Sequence, residues 1–112
     1  MHEIKLTENM ISILEREAAD PAVGEVKVVH LAIGKLRYIV PEIICSCFEH
    51  IPKSGKLKGA RLDISEVPVT IRCASCGSER VVDDGVYACT ACECQDIEIM
   101  TGREFMVKGI EW

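Results

Sequence analysis

A chain of 112 residues holds one compact domain, or one plus a small metal-stapled insert, and excludes a large multidomain enzyme. Its 13 Lys and Arg against 18 Asp and Glu leave a net charge of −5, so the long-range field repels nucleic acid and anionic membrane. With 48% hydrophobic and 28% charged residues the chain is a folding one, and no apolar run approaches the roughly 18 residues of a membrane span. The start Met1-His2-Glu3 lacks the basic-then-apolar layout of a secretory signal, so a soluble, cytoplasmic protein is expected.

Leu6, Met10, Ile13, Leu14 and Ala18 recur at threes and fours, which predicts an amphipathic helix over 6–20 with Thr7 as N-cap and Asp20-Pro21 as the stop. Val26 to Ile33 reads as a strand apolar on both faces, hence a central one. Gly34 ends it, and Pro41 suits the first turn of a second helix reaching about His50. Lys53-Ser54-Gly55-Lys56 is a turn by composition. Ala60 to Ile71 alternates as a strand, with Pro68 marking an edge or a bend. From Cys73 to Cys94 the chain is turn-rich and cysteine-punctuated, and strand texture returns in Ile97, Ile99 and 105–112, which is expected to add back to the first sheet. The expected fold is α+β: a small mixed sheet packed by two helices, with an inserted zinc-ribbon-like four-cysteine domain. An α/β domain over 1–70 is completed by a C-terminal strand over 99–112, and the insert occupies 71–98.

Cys73-Ala-Ser-Cys76 and Cys89-Thr-Ala-Cys92 are two chelating turns separated by twelve residues. Two such turns can complete the tetrahedral four-sulfur shell that Zn(II) favours. Iron held in a rubredoxin-like manner and disulfides are the alternatives, less suited to a cytoplasmic chain. Gly77 can take the positive φ that turns backbone amides toward the sulfurs. A shell of four thiolates has no open position for water, so such a zinc is structural rather than hydrolytic. Cys94 reads as a free thiol or spare ligand, and Cys45 and Cys47 as packing residues of the second helix.

At the opposite end, a free amine followed by histidine places the α-amino nitrogen, the next backbone amides and the imidazole within reach of one ion. Ni(II) or Cu(II), which accept square-planar nitrogen ligands, suit that arrangement; the alternative is a solvated histidine.

Met1-His2-Glu3 resembles the nickel-binding signature of the HypA/HybF family of hydrogenase nickel-incorporation proteins. Ile33-Gly34-Lys35-Leu36, Phe48-Glu49, Gly59-Ala60-Arg61-Leu62, the two cysteine pairs, Gly102-Arg103-Glu104 and Val107-Lys108-Gly109-Ile110-Glu111 agree in order and spacing. The resemblance implies a metallochaperone, not an enzyme, that delivers Ni(II) during [NiFe]-hydrogenase maturation and in some bacteria serves urease. It implies a GTPase partner, the hydrogenase large subunit as client, and a monomer or weak homodimer. His2 matches the family's nickel ligand, with the Met1 amine and the Glu3 backbone as co-ligands, and Cys73, Cys76, Cys89 and Cys92 match its structural Zn(II) ligands. Val40 stands where a carboxylate often approaches nickel, and Glu42 is the nearest acid.

Two other classes compete. A zinc-ribbon module binding nucleic acid or protein is disfavoured on the nucleic-acid side by the charge and by five scattered aromatics, Tyr38, Phe48, Tyr87, Phe105 and Trp112. A thiol-disulfide enzyme would need a reactive thiol at a helix start in a thioredoxin-like order of elements. His30 is expected to be half-buried and bonded to a backbone carbonyl, His50 to sit as a cation at a helix end, and Asp83-Asp84 to offer an acidic patch. No Ser/His/Asp arrangement or phosphate-binding loop is present in the sequence.

Overall fold

The computed structural model describes the backbone from residue 2 to 112 and the side chains from Glu3 onward. Helix α1 runs His2–Ala18. Its start lies before the expected one, and Thr7 is not a cap but an interior residue, fully buried, whose hydroxyl donates to the Glu3 carbonyl oxygen at 2.6 Å. With its polar group bonded one turn back, Thr7 presents a methyl to the core and heads a buried stripe of Met10, Ile11, Leu14 and Ala18. Ile13, expected on that stripe, is 50% exposed, and Ile11 takes its place.

Beyond α1 the chain turns on Asp20, whose carboxylate accepts the Ala22 amide at 2.9 Å. The Lys56 ammonium donates to the Asp20 carbonyl at 2.8 Å and to that of Val23. Helix α2 spans Pro41–His50 with proline at its start, where a missing N–H costs nothing. Its C-terminus is closed by Lys53, which donates to the carbonyls of Phe48 and Ile51 and lies 4.5 Å over the Phe48 ring.

The chain forms two compact units, one of residues 2–31, 39–65 and 106–112 and the other of 32–38 and 66–105. Strand β1 (Val28–Gly34) is central in a three-stranded sheet, between β2 (Arg61–Val67) and β6 (Phe105–Glu111). The bonds Lys27 N to Glu111 O and Gly34 N to Glu104 O, both 2.7 Å, set β6 antiparallel to β1. A central strand has neighbours on both edges, so its side chains are covered on both faces: Val29, Leu31 and Ile33 on one, Val28 and Ala32 on the other.

The second unit is an antiparallel sheet in the order β4-β3-β5, with β3 Val69–Cys73, β4 Glu79–Val82 and β5 Ile97–Thr101. Its core is Val69, Ile71 and Val82, flanked by Leu36, Ile97 and Ile99. Two expectations are corrected here. The continuous strand over 60–71 is broken at Pro68, which has no N–H for a ladder, and the halves join different sheets. Ile97 and Ile99 do not return to the first sheet; they pair with Cys73 and Ile71 of β3 and pack against the apolar cluster of Val69, Ile71 and Val82.

Candidate metal centre

Strand β3 ends at Cys73, and the chain reverses at once. Gly77 takes φ +74°, its amide donates to the Cys73 carbonyl at 3.0 Å, and the Cys73 amide donates to Ser78 O at 2.9 Å. The second pair is closed in the same manner: the Cys89 amide donates to Cys94 O at 2.9 Å across a turn in which Glu93 has φ +60°. The Ala74 amide donates to Asp96 O at 3.0 Å, which ties the first turn to the entry of β5.

These turns bring the four sulfurs of Cys73, Cys76, Cys89 and Cys92 within 4.8 Å of one another. Cys73 Sγ lies 3.5 Å from Cys92 Sγ and Cys76 Sγ 3.6 Å from Cys89 Sγ. Sulfurs about 2.3 Å from a tetrahedral ion stand roughly 3.8 Å apart, so the donor set fits a metal of zinc's size. Disulfides are not formed, and all seven cysteines are free thiols. Among the described residues this is the one group of Cys, His, Asp or Glu side chains that converges in this way.

The electrostatics favour a cation. Backbone N–H groups of Cys76 and Ser75 hold the Cys73 thiol down at about 6. Cys89 is lowered too, mainly by the backbone N–H of Cys92. The Cys94 N–H pulls Cys92 the same way, yet the adjoining thiols of Cys73 and Cys89 push it up to about 12. Sulfurs this close cannot all ionise without a positive charge among them, and backbone dipoles already aimed at two of them prepare the set for one.

Arg80, a residue that spacing arguments passed over, is tied to this centre. Its guanidinium donates to Ala88 O at 3.1 Å and to Val86 O, and lies 3.7 Å from the Asp84 carboxylate. Only a fork of several donors can serve so many acceptors at once, which is the signal in an arginine flanked by a turn and a cysteine pair. Asp84 is thereby occupied: it also accepts the Val86 amide at 3.0 Å, and its carboxyl is lowered chiefly by that bond.

Other candidates separate from the site. The Cys94 sulfur lies outside the converging set, 3.3 Å from Ser75 Oγ and accepting the Asp96 amide at 3.4 Å. Cys45 and Cys47 are half-buried on α2, and burial pushes the Cys45 thiol up, as for packing residues. Glu42 stands in the first turn of α2. His50 donates through Nδ1 to Ser46 O at 2.7 Å at the helix end. His30 has no carbonyl partner of the expected kind: its Nδ1 faces the Asp63 carboxylate at 3.0 Å and its Nε2 the Glu111 carboxylate. Of the expected nickel ligands, Met1 and the His2 side chain lie outside the described residues, and Glu3 stands in the first turn of α1.

A family model described as hydrogenase/urease nickel incorporation, metallochaperone, hypA matches residues 1–112. The chain is 35% identical over 112 residues to the hydrogenase maturation factor HypA of Desulfatibacillum aliphaticivorans, covering 99% of this chain and 86% of that one. It is 37% identical over 111 residues to the HypA of Geobacter metallireducens, covering 99% and 98%. Its fold is similar to the solution structure of the Ni metallochaperone HypA from Helicobacter pylori, with a TM-score of 0.70, 22% identity, and coverage of 97% and 95%.

Proposed function

Because the chain belongs to the HypA family of hydrogenase and urease nickel-incorporation metallochaperones, which are metal carriers and not enzymes, we propose that it binds Ni(II) at its N-terminus and delivers it during [NiFe]-hydrogenase maturation. Zn(II) in the four-cysteine shell is its structural cofactor. The two tasks fall to different parts of the chain: nickel to the N-terminus, zinc to the cysteine-bearing unit of 32–38 and 66–105. The observation that carries the zinc assignment is the set of four sulfurs within 4.8 Å of one another, two of them buried. A thiolate shell filled by protein leaves no coordination site for cargo, so a cargo ion needs another set of donors.

For nickel that set is the Met1 amine, the His2 imidazole and the Glu3 backbone amide, nitrogen donors that suit a square-planar d8 ion after loss of an amide proton. Donors at a chain end release their ion without unfolding a core, as delivery requires. The recipients are the maturation GTPase and the hydrogenase large subunit, with urease as a further client, all in the cytoplasm, and the carrier acts as a monomer or weak homodimer.

Zinc content followed by a nickel titration on untagged protein tests the reading. The expected outcome is about one zinc retained per chain and about one Ni(II) bound with release of protons. His2→Ala should lose most of the nickel affinity and keep the zinc; unchanged nickel affinity in that variant would overturn the N-terminal site.

A further inference from the structure

Arg80 has a geometry that its place on a short edge strand does not require. β4 carries it at the second position of Glu79–Val82, and an exposed arginine there would ordinarily extend into water. Instead its side chain is only 21% exposed, the guanidinium being turned back onto the loop that precedes the second cysteine pair. There it bonds to the carbonyls of Val86 and Ala88, and Ala88 is the residue immediately before Cys89. Asp84 stands 3.7 Å from the same Nη2 that donates to Val86 O.

The same arginine lines a small cavity of about 40 Å³ whose wall includes Cys73 and Cys89, the two buried cysteines of the cluster, together with Ser78. That volume holds a water molecule or two, and its lining supplies the polar partners such waters need. A four-thiolate shell around a dication carries two net negative charges. Buried charge requires compensation close at hand. Of the five cationic side chains in this unit, Lys35, Arg37, Arg72 and Arg103 are exposed, and Arg72 is engaged with Glu98 at 3.2 Å. Arg80 alone among them borders the cavity behind the buried thiols.

We infer that Arg80 is the positioning residue of the four-cysteine centre: it holds the backbone that presents Cys89, borders the cavity that Cys73 and Cys89 also line, and sets how slowly the centre releases its metal. The inference rests on the zinc reading proposed above. It also divides the centre into unequal halves. Both pairs are closed by backbone turns, but the loop that leads into Cys89 and Cys92 is held in addition by the Arg80 guanidinium.

Zinc-loaded full-length protein mixed with excess 4-(2-pyridylazo)resorcinol reports the release rate. Arg80→Ala should release zinc at least tenfold faster than the parent chain, and Arg80→Lys, which keeps the charge but not the fork, several-fold faster. Asp84→Asn should fall between the parent and Arg80→Lys. Co(II) in place of zinc gives the readout that loss of fold would not mimic: loaded Arg80→Lys keeps four-sulfur coordination but shifts its thiolate charge-transfer bands, because the backbone that presents Cys89 is no longer held by the fork. Release at the parental rate in both Arg80 variants, or parental Co(II) spectra in Arg80→Lys, overturns the inference and leaves the zinc reading intact. A parent chain isolated without zinc and unable to take it up overturns the zinc reading itself.

Discussion

The Cα of Gly34 rests against the peptide of Gly102: a Cβ on Gly34 would stand 2.0 Å from the Gly102 carbonyl oxygen and 2.5 Å from the Arg103 nitrogen. The bonds Gly34 N to Glu104 O at 2.7 Å and Leu36 N to Gly102 O at 2.9 Å hold the two segments at that separation. Gly102 is constrained twice, by φ +119° and by Val69 Cγ2, which a Cβ would meet at 2.9 Å. Backbone cannot rotate out of the way as a side chain can. Gly34→Ala is therefore expected to cost at least about 3 kcal/mol, at the upper end of overpacking penalties. Urea unfolding measures it, and a loss under about 1 kcal/mol would contradict the contact.

His30 makes the three-stranded sheet sensitive to pH. Both ring nitrogens face carboxylates, Nδ1 that of Asp63 on β2 and Nε2 that of Glu111 on β6. A neutral imidazole has one N–H only, so this arrangement requires the imidazolium. The Glu111 bond is the main cause raising its pKa above the ordinary 6.5, reinforced by Asp63 against some desolvation. A raised folded-state pKa means that the stabilisation is fully present below about 6.5, the unfolded value, and is lost as pH rises through the folded one. His30→Gln should thus lower the urea midpoint more at pH 6 than at pH 8; a difference independent of pH would refute the clamp. All three groups are exposed, so high salt should shrink the effect.

Metal loading should displace protons. Cys92 is held protonated by its sulfur neighbours, while Cys73 titrates near 6. Filling the shell must drive off the Cys92 proton at neutral pH, so apparent zinc affinity should rise steeply from pH 6 to 8. Titrations in buffers of different ionisation enthalpy count the protons, and zero release would argue against four-thiolate ligation.

Thr7 tests the packing of α1. Its hydroxyl is bonded to Glu3 O and its methyl is fully buried. Thr7→Ser removes one buried methyl and should cost about 1 kcal/mol. Thr7→Val keeps the volume, and the Glu3 carbonyl loses only an extra donor, so the change should be within about 1 kcal/mol of neutral. A Thr7→Val cost well above that of Thr7→Ser would show that the hydroxyl matters more than the methyl.

Much of this was legible in the chain because the signals are local. Pro41 opens α2, the apolar run of β1 is central, and two Cys-x-x-Cys pairs twelve residues apart converge on one point. What escaped sequence reasoning was long-range. Ile97 and Ile99 alternate as strand residues should, but alternation does not name the neighbouring strand. The true extent of α1 was hidden because Thr7 looks like a cap to a local rule, and only its bond to Glu3 reveals an interior residue.

The sequence by itself determined the family, the two cysteine pairs and the charge that disfavours nucleic acid, since each depends on residue identity and spacing alone. Tertiary structure decided which sheet each half of 60–71 joins, why Gly34 and Gly102 are both glycine, and that Arg80 reaches the loop before Cys89. The physical reason is common to all three. Spacing along a chain constrains what a few residues can do together, whereas strand pairing, backbone contact and a guanidinium's choice of acceptors are settled by which distant segments fold side by side.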